Sequence, residues 1–250
     1  MDRMIYTAMS GAQQSFNRQA IINHNLANVS TAGFRGQLDA MRAVPVQGAG
    51  AWGTRVSVMT TTPGTDFTAG PVEATGRDLD VALSGNAWLA VQDPAGAEAY
   101  TRQGDLQVSA EGLLTSGGSP VMGEGGPIIV PLGAAISLGS DGTVSAIGAG
   151  DQPDTLVDVG RLKLVTPADG NPLQRGDDGL FRARDANGNP TPLPADADAR
   201  LQTGALEGSN VSAVASMVDM ISSARQYEMQ MKVVQSSEDN ARQADQLLSV

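Results

Sequence analysis

Few side chains in this chain could support catalysis or metal binding. His24 is the only histidine and there is no cysteine. A multi-histidine or thiolate zinc site is therefore excluded, and a Ser–His–Asp triad would have to use His24. This residue lies in a segment with helical periodicity, between Asn23 and Asn25. We expect a structural or solvated role for it, because a triad needs a positioned set of partners.

Two glycine- or asparagine-rich motifs resemble ligand-binding loops but lack the required context. Residues 48–53 fit the pattern G-x-G-x-x-G. A strand-like β-branched run follows at 55–58, where a dinucleotide fingerprint needs a helix. Residues 185–189 begin like a calcium loop, yet Pro190 stands where that loop requires glycine. We expect a flexible loop at the first motif and a turn at the second.

Acidic pairs are the remaining candidates for acid–base chemistry: Asp78 with Asp80, and the adjacent residues 177–178. Paired carboxylates act as acid and base only when they are buried and close together. Both pairs fall at predicted strand or turn edges, where acidic side chains are usually solvated. A secreted β-sheet hydrolase stays an alternative, as does a carbohydrate-binding module, which would need Trp52 and Trp88 to be exposed. We predict no catalytic residue, cofactor site or metal site.

Charge and hydropathy exclude further classes of protein. The 250 residues carry a net charge of −11, so no basic face is available for nucleic acid or for anionic lipid. No run of 18 apolar residues predicts a membrane span. Polar residues at 13–14 and 17–19 occupy the place of the apolar core of a secretory signal. We expect any route out of the cytoplasm to use no cleaved signal peptide.

The strongest regular pattern lies at the two ends, which are predicted to be long helices from about Asp2 to Asn28 and from Val211 to Leu248. Each carries a stripe with alternating spacings of three and four residues, typical of a coiled-coil seam. Because small and flexible side chains dominate both stripes, we expect the helices to pair and to become ordered on assembly. The stripes comprise Ile5, Ala8, Ala12, Ser15, Gln19, Ile22, Leu26 and Val29, then Met217, Met220, Ala224, Tyr227, Met231, Val234, Glu238 and Ala241.

Short strand-like segments fill the middle of the chain. Turn signals such as Asp93–Gly96 and Asp141-Gly142 recur every 8–12 residues, which is typical of an antiparallel β domain. We predict an α+β fold in which this β domain is inserted between two pairing helices. The predicted organisation is an N-terminal helix of a discontinuous inner domain at 1–36, an extended linker at 37–70, an outer β domain at 71–204 and a C-terminal helix at 205–250.

Four segments carry a resemblance to a known family. They read NLANVSTAGFR at 25–35, AYTRQG at 99–104, GALEGSNV at 204–211 and ARQYEM at 224–229. The chain resembles the flagellar rod, hook and hook-associated proteins over nearly its whole length. The resemblance implies a structural subunit of the proximal rod rather than an enzyme. The distal rod or another rod or hook subunit is the alternative.

The family resemblance also implies partners, location and interface. Such subunits leave the cell through the flagellar type III export apparatus and polymerise in the periplasm with copies of themselves and with other rod proteins. Their helices line a hollow shaft that transmits torque to the hook and forms part of the export channel. From the stripes and the signature we expect the assembly interface to include Ile5, Ala8, Ala12, Phe16, Ile22, Asn25, Leu26, Asn28, Gly33, Met217, Met220, Tyr227, Met231 and Val234.

Overall fold

The computed structural model describes residues 2–38, 40–45, 56–61, 64–148, 156–167, 173–185 and 188–248. The chain divides into two compact units. The helical unit comprises Met1–Val29, Gly36–Phe67 and Val211–Val250, and the β-rich unit comprises Ser30–Arg35 and Thr68–Asn210. The predicted α+β class, with a helix at each end and antiparallel strands between them, is confirmed.

The helical unit contains α1 (Asp2–Ala27), α2 (Ala213–Leu248) and an antiparallel hairpin of β1 (Ala40–Pro45) and β2 (Val56–Thr61). Helix α1 packs against both α2 and β2. The side chain of Ser212 caps α2, because its Oγ accepts the amide of Ala215 at 3.4 Å. The 36 residues of α2 correspond to a length of about 54 Å.

The β-rich unit is built from short antiparallel strands. Their bounds are β3 (Val72–Ala74), β4 (Val81–Leu83), β5 (Trp88–Gln92), β6 (Glu98–Thr101), β7 (Leu106–Val108), β8 (Leu114–Ser116), β9 (Ser119–Pro120), β10 (Met122–Gly123), β11 (Gly126–Pro127), β12 (Ala135–Leu138), β13 (Thr143–Ile147), β14 (Val157–Arg161), β15 (Leu164–Val165), β16 (Gln174–Arg175), β17 (Phe181–Arg182), β18 (Leu201–Thr203) and β19 (Ala205–Glu207).

The largest sheet has the strand order β15-β5-β6-β17-β16. Two three-stranded sheets follow the chain order β7-β8-β9 and β12-β13-β14. Strands β18 and β19, near the end of the unit, pair back with β4 and β3 near its start. These pairings bring the two ends of the β-rich segment together.

The core of this unit lies on both faces of β5. Leu89 and Val91 point into one apolar cluster with Leu106 and Leu114, whereas Trp88 on the opposite face joins a second cluster. Because side chains alternate across a strand, burial of both faces makes β5 a continuous apolar run.

The turn between β5 and β6 is stabilised by one carboxylate. Asp93 accepts the backbone amides of Ala95 and Ala97 at 2.9 and 2.8 Å. The guanidinium of Arg182 donates to the other oxygen of Asp93 at 2.7 Å. The hydrogen bond from Arg182 holds the pKa of Asp93 below its ordinary value.

Candidate functional site

The predicted stripe of α1 lies on the buried side of the helix. Ala8, Ala12, Ser15 and Ile22 are buried, while Ile5, Gln19, Leu26 and Val29 are half-buried. Small side chains dominate the middle of this face, so α2 approaches closely there. A Cβ placed on Gly11 would lie 3.0 Å from the side-chain Cδ of Gln230.

The buried stripe of α2 is offset from the predicted one. Ser216, Ser223 and Ser237 are buried, and each lies one residue before a predicted seam position. Met217, by contrast, is 51% exposed. Met220, Ala224, Met231 and Val234 are half-buried, whereas Tyr227 and Glu238 are exposed. Serine rather than methionine lies at the contact, because only a small side chain fits between closely packed helices.

Polar contacts fix the direction of the helix pair. Between the helices, the hydroxyl of Ser223 on α2 donates to the carbonyl oxygen of Ser15 on α1 at 3.0 Å. Within α1, the hydroxyl of Ser15 donates to the carbonyl oxygen of Gly11 at 3.1 Å. Ser15 thus lies beside Ser223, while Gly11 lies beside Gln230. Higher residue numbers on α2 lie beside lower residue numbers on α1, so the two helices run antiparallel.

Both helices expose a second apolar surface. On α1 it includes Phe16, whose side chain is 64% exposed, and on α2 it includes the exposed Met217. The other large exposed apolar residues of the two helices are Tyr6, Met9, Val214, Val218, Ile221, Tyr227, Met229 and Val233. We call this set the outer apolar surface. Many large exposed apolar residues on two neighbouring helices favour a role in protein–protein contact.

The polar residues of the N-terminal signature shape the chain after α1. The side-chain amide of Asn25 donates to the carbonyl of Gln37 and its oxygen accepts the amide of Gln37, both at 2.9 Å. Asn28 donates to the carbonyl of His24 at 2.8 Å. Gly33 has a φ of 67°, a conformation that favours glycine.

A buried ion cluster, which the sequence analysis did not predict, lies in the β-rich unit. The carboxylate of Glu207 contacts Nη2 of Arg35 at 2.6 Å and Nε of Arg102 at 2.8 Å. All three residues are at most 4% exposed. Burial lowers the pKa of Arg102, and the charge of Glu207 opposes this shift. We call these three residues the Glu207 cluster.

The residues considered for chemistry do not form a catalytic site. His24, Asp78 and Asp177 are exposed, and Asp80 is engaged by Thr75 at 2.7 Å and Arg77 at 3.0 Å. Within the described ranges, no three histidine, cysteine or acidic side chains are grouped so that they could hold a metal ion.

The motifs considered for nucleotide, calcium or sugar binding give no such site either. Trp88 is 4% exposed, which rules it out as a sugar platform, and Trp52 lies outside the described residues with the whole of 48–53. At the calcium-like motif, Asp185 accepts the backbone amide of Asn189 at 2.8 Å, as in a turn.

Three family profiles match successive parts of the chain. A profile described as flagella basal body rod protein matches residues 5–35. The flagellar hook protein FlgE/F/G D1 domain matches 82–146, and the flagellar basal body rod FlgEFG protein C-terminal matches 202–247. Flagellar basal-body rod protein FlgF of Escherichia coli is 54% identical over the full length of both chains. The chain belongs to the flagellar basal-body rod protein family.

Other relatives agree with this assignment. FlgF of Salmonella typhimurium is 53% identical over the full length of both chains. FlgG of Buchnera aphidicola, from the Schizaphis graminum strain, is 31% identical over 96% of each chain. As a member of the rod family, the chain is a structural subunit of the flagellar basal-body rod and not an enzyme.

The family signatures coincide with the Glu207 cluster. Arg35, Arg102 and Glu207 each fall within a different one of the three matched segments.

Among the described residues, no helix has the length and apolar content needed to cross a membrane.

Proposed function

We propose that this rod protein is a subunit of the proximal rod, where it polymerises into the hollow shaft that transmits torque from the motor to the hook. The observation that carries the proposal is the 54% identity with Escherichia coli FlgF over the full length of both chains. The 53% identity with Salmonella typhimurium FlgF supports the same reading; in Buchnera aphidicola of the Schizaphis graminum strain, FlgF and FlgG are 32% and 31% identical and favour neither.

The proposal includes a location and a set of partners. The subunit reaches the periplasm through the flagellar type III export apparatus, without cleavage of a signal peptide. There it contacts copies of itself, the smaller proximal rod proteins and the distal rod protein. Residues 1–36 and 205–250 contribute the helices of an inner domain that lines the export channel. Residues 71–204 form the outer β domain, and residues 37–70 are the extended linker between the N-terminal helix and that domain.

The helices are proposed to act in two ways. Their small-residue faces pair in a coiled-coil-like manner within one subunit, and the outer apolar surface contacts neighbouring subunits. A repeating head-to-tail contact of this type builds an open helical filament. The exposed Phe16, Met217 and Tyr227 are suited to the contact between subunits, whereas the buried Ala8, Ala12 and Ile22 stabilise the subunit itself.

A charge at Phe16 tests this assignment, because that side chain is exposed in the single subunit and should be buried in the rod. We expect Phe16→Asp to leave the thermal unfolding of the purified protein unchanged but to abolish its recovery in purified basal bodies. The matched control is Asn17→Asp at the neighbouring exposed position, which should be incorporated normally. Normal incorporation of Phe16→Asp would contradict the proposed interface.

A further inference from the structure

The chain crosses the boundary of the β-rich unit at four points. It enters at Ser30, leaves after Arg35, re-enters at Thr68 and leaves again after Asn210. Three short stretches of the unit therefore carry all four connections: Ser30–Arg35, Thr68–Gly70 and Glu207–Asn210. We call them the connecting segments.

Backbone hydrogen bonds join the connecting segments directly. The amide of Gly33 donates to the carbonyl of Glu207 at 2.7 Å, and the amide of Asn210 donates to the carbonyl of Phe34 at 3.3 Å. The side-chain amide of Asn210 donates to the carbonyl of Thr68 at 3.1 Å. The segment at 207–210 thus contacts each of the other two.

One carboxylate completes this junction. Oε1 of Glu207 accepts the amide of Gly70 at 3.0 Å and pairs with Arg35 at 2.6 Å. Oε2 accepts Nε of Arg102 at 2.8 Å. Each connecting segment therefore contains either Glu207 itself or a group that contacts its carboxylate.

Arg102 connects the junction to the rest of the β-rich unit. Its guanidinium donates to the carbonyl oxygens of Leu83, Gly85 and Ala87 at 2.7–2.9 Å. These carbonyls lie at the end of β4 and in the loop before β5. Through Arg102, the carboxylate of Glu207 thereby links the connecting segments to the end of β4 and to the loop between β4 and β5.

The backbone is closely packed around the cluster. A Cβ on Gly33 would lie 2.2 Å from the carbonyl carbon of Arg102, and one on Gly70 would lie 2.1 Å from the carbonyl oxygen of Gly208. A buried ion pair is often no more stabilising than well-packed apolar side chains, but it fixes direction and register. The Glu207 cluster joins three separate chain segments, and the ion pairs fix their positions relative to one another.

We propose that Glu207 is a positioning residue that holds the three connecting segments together, so that they open as one cooperative element of the β-rich unit. Without the carboxylate the connecting segments loosen together, while the sheets keep their structure. This element lies within the β-rich unit of the single subunit, so its test needs no assembled rod.

The test is amide hydrogen exchange on the full-length protein carrying Glu207→Gln, which keeps the shape and removes the charge. We expect the amides of Gly33, Gly70 and Asn210 to exchange faster by the same factor, about tenfold or more. The amide of Ala90, bonded to the carbonyl of Lys163 in the sheet at 3.0 Å, should be unchanged.

The exposed Glu73 on β3 supplies the matched control, because Glu73→Gln removes the same charge from the surface. It should leave all four amide rates unchanged. Faster exchange at Gly70 alone in Glu207→Gln, or no change in any amide, would overturn the proposal.

A second variant keeps the test decisive if Glu207→Gln does not fold. Arg35→Met leaves the pair of Glu207 and Arg102 intact but detaches one connecting segment. We expect joint acceleration at Gly33 and Asn210, again with Ala90 unchanged. Unchanged rates at Gly33 and Asn210 would refute the cooperative opening of the connecting segments.

Discussion

Replacing Arg102 by methionine should be among the most damaging single changes in the β-rich unit. The guanidinium is buried and bonds four partners: the carbonyls of Leu83, Gly85 and Ala87, and the carboxylate of Glu207. Methionine keeps the length and apolar character of the stem. It removes all of these hydrogen bonds and half of the cationic charge around Glu207.

The expected loss follows from these contacts. Removing one partner of a buried ion pair costs about 3–5 kcal/mol, and each buried carbonyl left without a donor costs about 1–3 kcal/mol before relaxation. Because Arg35 still neutralises Glu207 and the terms are not additive, we expect about 4 kcal/mol. In a unit of roughly 150 residues this lowers Tm by about 8–16 °C.

Scanning calorimetry of the full-length protein measures this loss. Arg200→Met is the matched control, since the exposed Arg200 also bonds backbone carbonyls, those of Ala197 and Ala199. It should change stability by no more than about 0.5 kcal/mol. A Tm for Arg102→Met within about 2 °C of the control would refute the reasoning.

Arg35→Met should cost less than Arg102→Met. Nε and Nη1 of Arg35 are buried and find no hydrogen-bond partner among the described residues. Removing Arg35 therefore also removes an uncompensated desolvation cost. The same calorimetric series measures the order of the two variants, and equal losses would contradict this account of the cluster.

Three further predictions concern a turn, a pH dependence and the helices. Gly33→Ala should lower Tm by at least about 4 °C in calorimetry, because alanine is strained at its positive φ and clashes with backbone; an unchanged Tm would contradict this. The depressed pKa of Asp93 means that its stabilisation is present above about pH 4 and is lost as pH falls through the folded-state pKa; Arg182→Met should flatten this loss in acid titrations of unfolding, and an unaltered slope would count against it. Val234→Asp should abolish swimming in soft agar while the exposed control Gln235→Asp swims, and a motile Val234→Asp strain would show that the seam is wrongly assigned.

Local sequence patterns were sufficient to predict the long secondary-structure elements. The three-four spacing predicted α1 to within one or two residues of its observed end at Ala27. It also predicted α2 almost to its bounds, because the period of a helix is visible in the sequence itself. Strand β5 is visible in the same way, as an apolar run at Trp88–Val91. Strand β1 was missed, since residues 37–70 carry no clear alternation.

The face of α2 was harder to predict than its extent. Ranking residues by hydrophobicity selects Met217, whereas the structure buries Ser216. The difference arises from the close approach of α1, shown by the 3.0 Å hydrogen bond from the hydroxyl of Ser223 to the carbonyl oxygen of Ser15, which favours small side chains at the contact. Such a preference for small residues depends on the partner helix and is not contained in the period of α2.

The Glu207 cluster could not be derived from spacing, because Arg35, Arg102 and Glu207 are far apart in the sequence. A usable signal was present nevertheless. Each charged residue lies inside a segment quoted for the family resemblance. Because arginine and glutamate are rarely fully buried unless they are paired, the opposite charges of these segments are a signal that they meet.

The most direct test of the proximal-rod assignment is cryo-electron microscopy of basal bodies from cells in which this subunit carries a small tag. Residues 188–192 form an exposed turn of the β-rich unit and can accept the insertion. The account predicts tag density as a ring around the outside of the lower rod. Absence of that density, with the tagged protein recovered as a soluble monomer, would contradict the account.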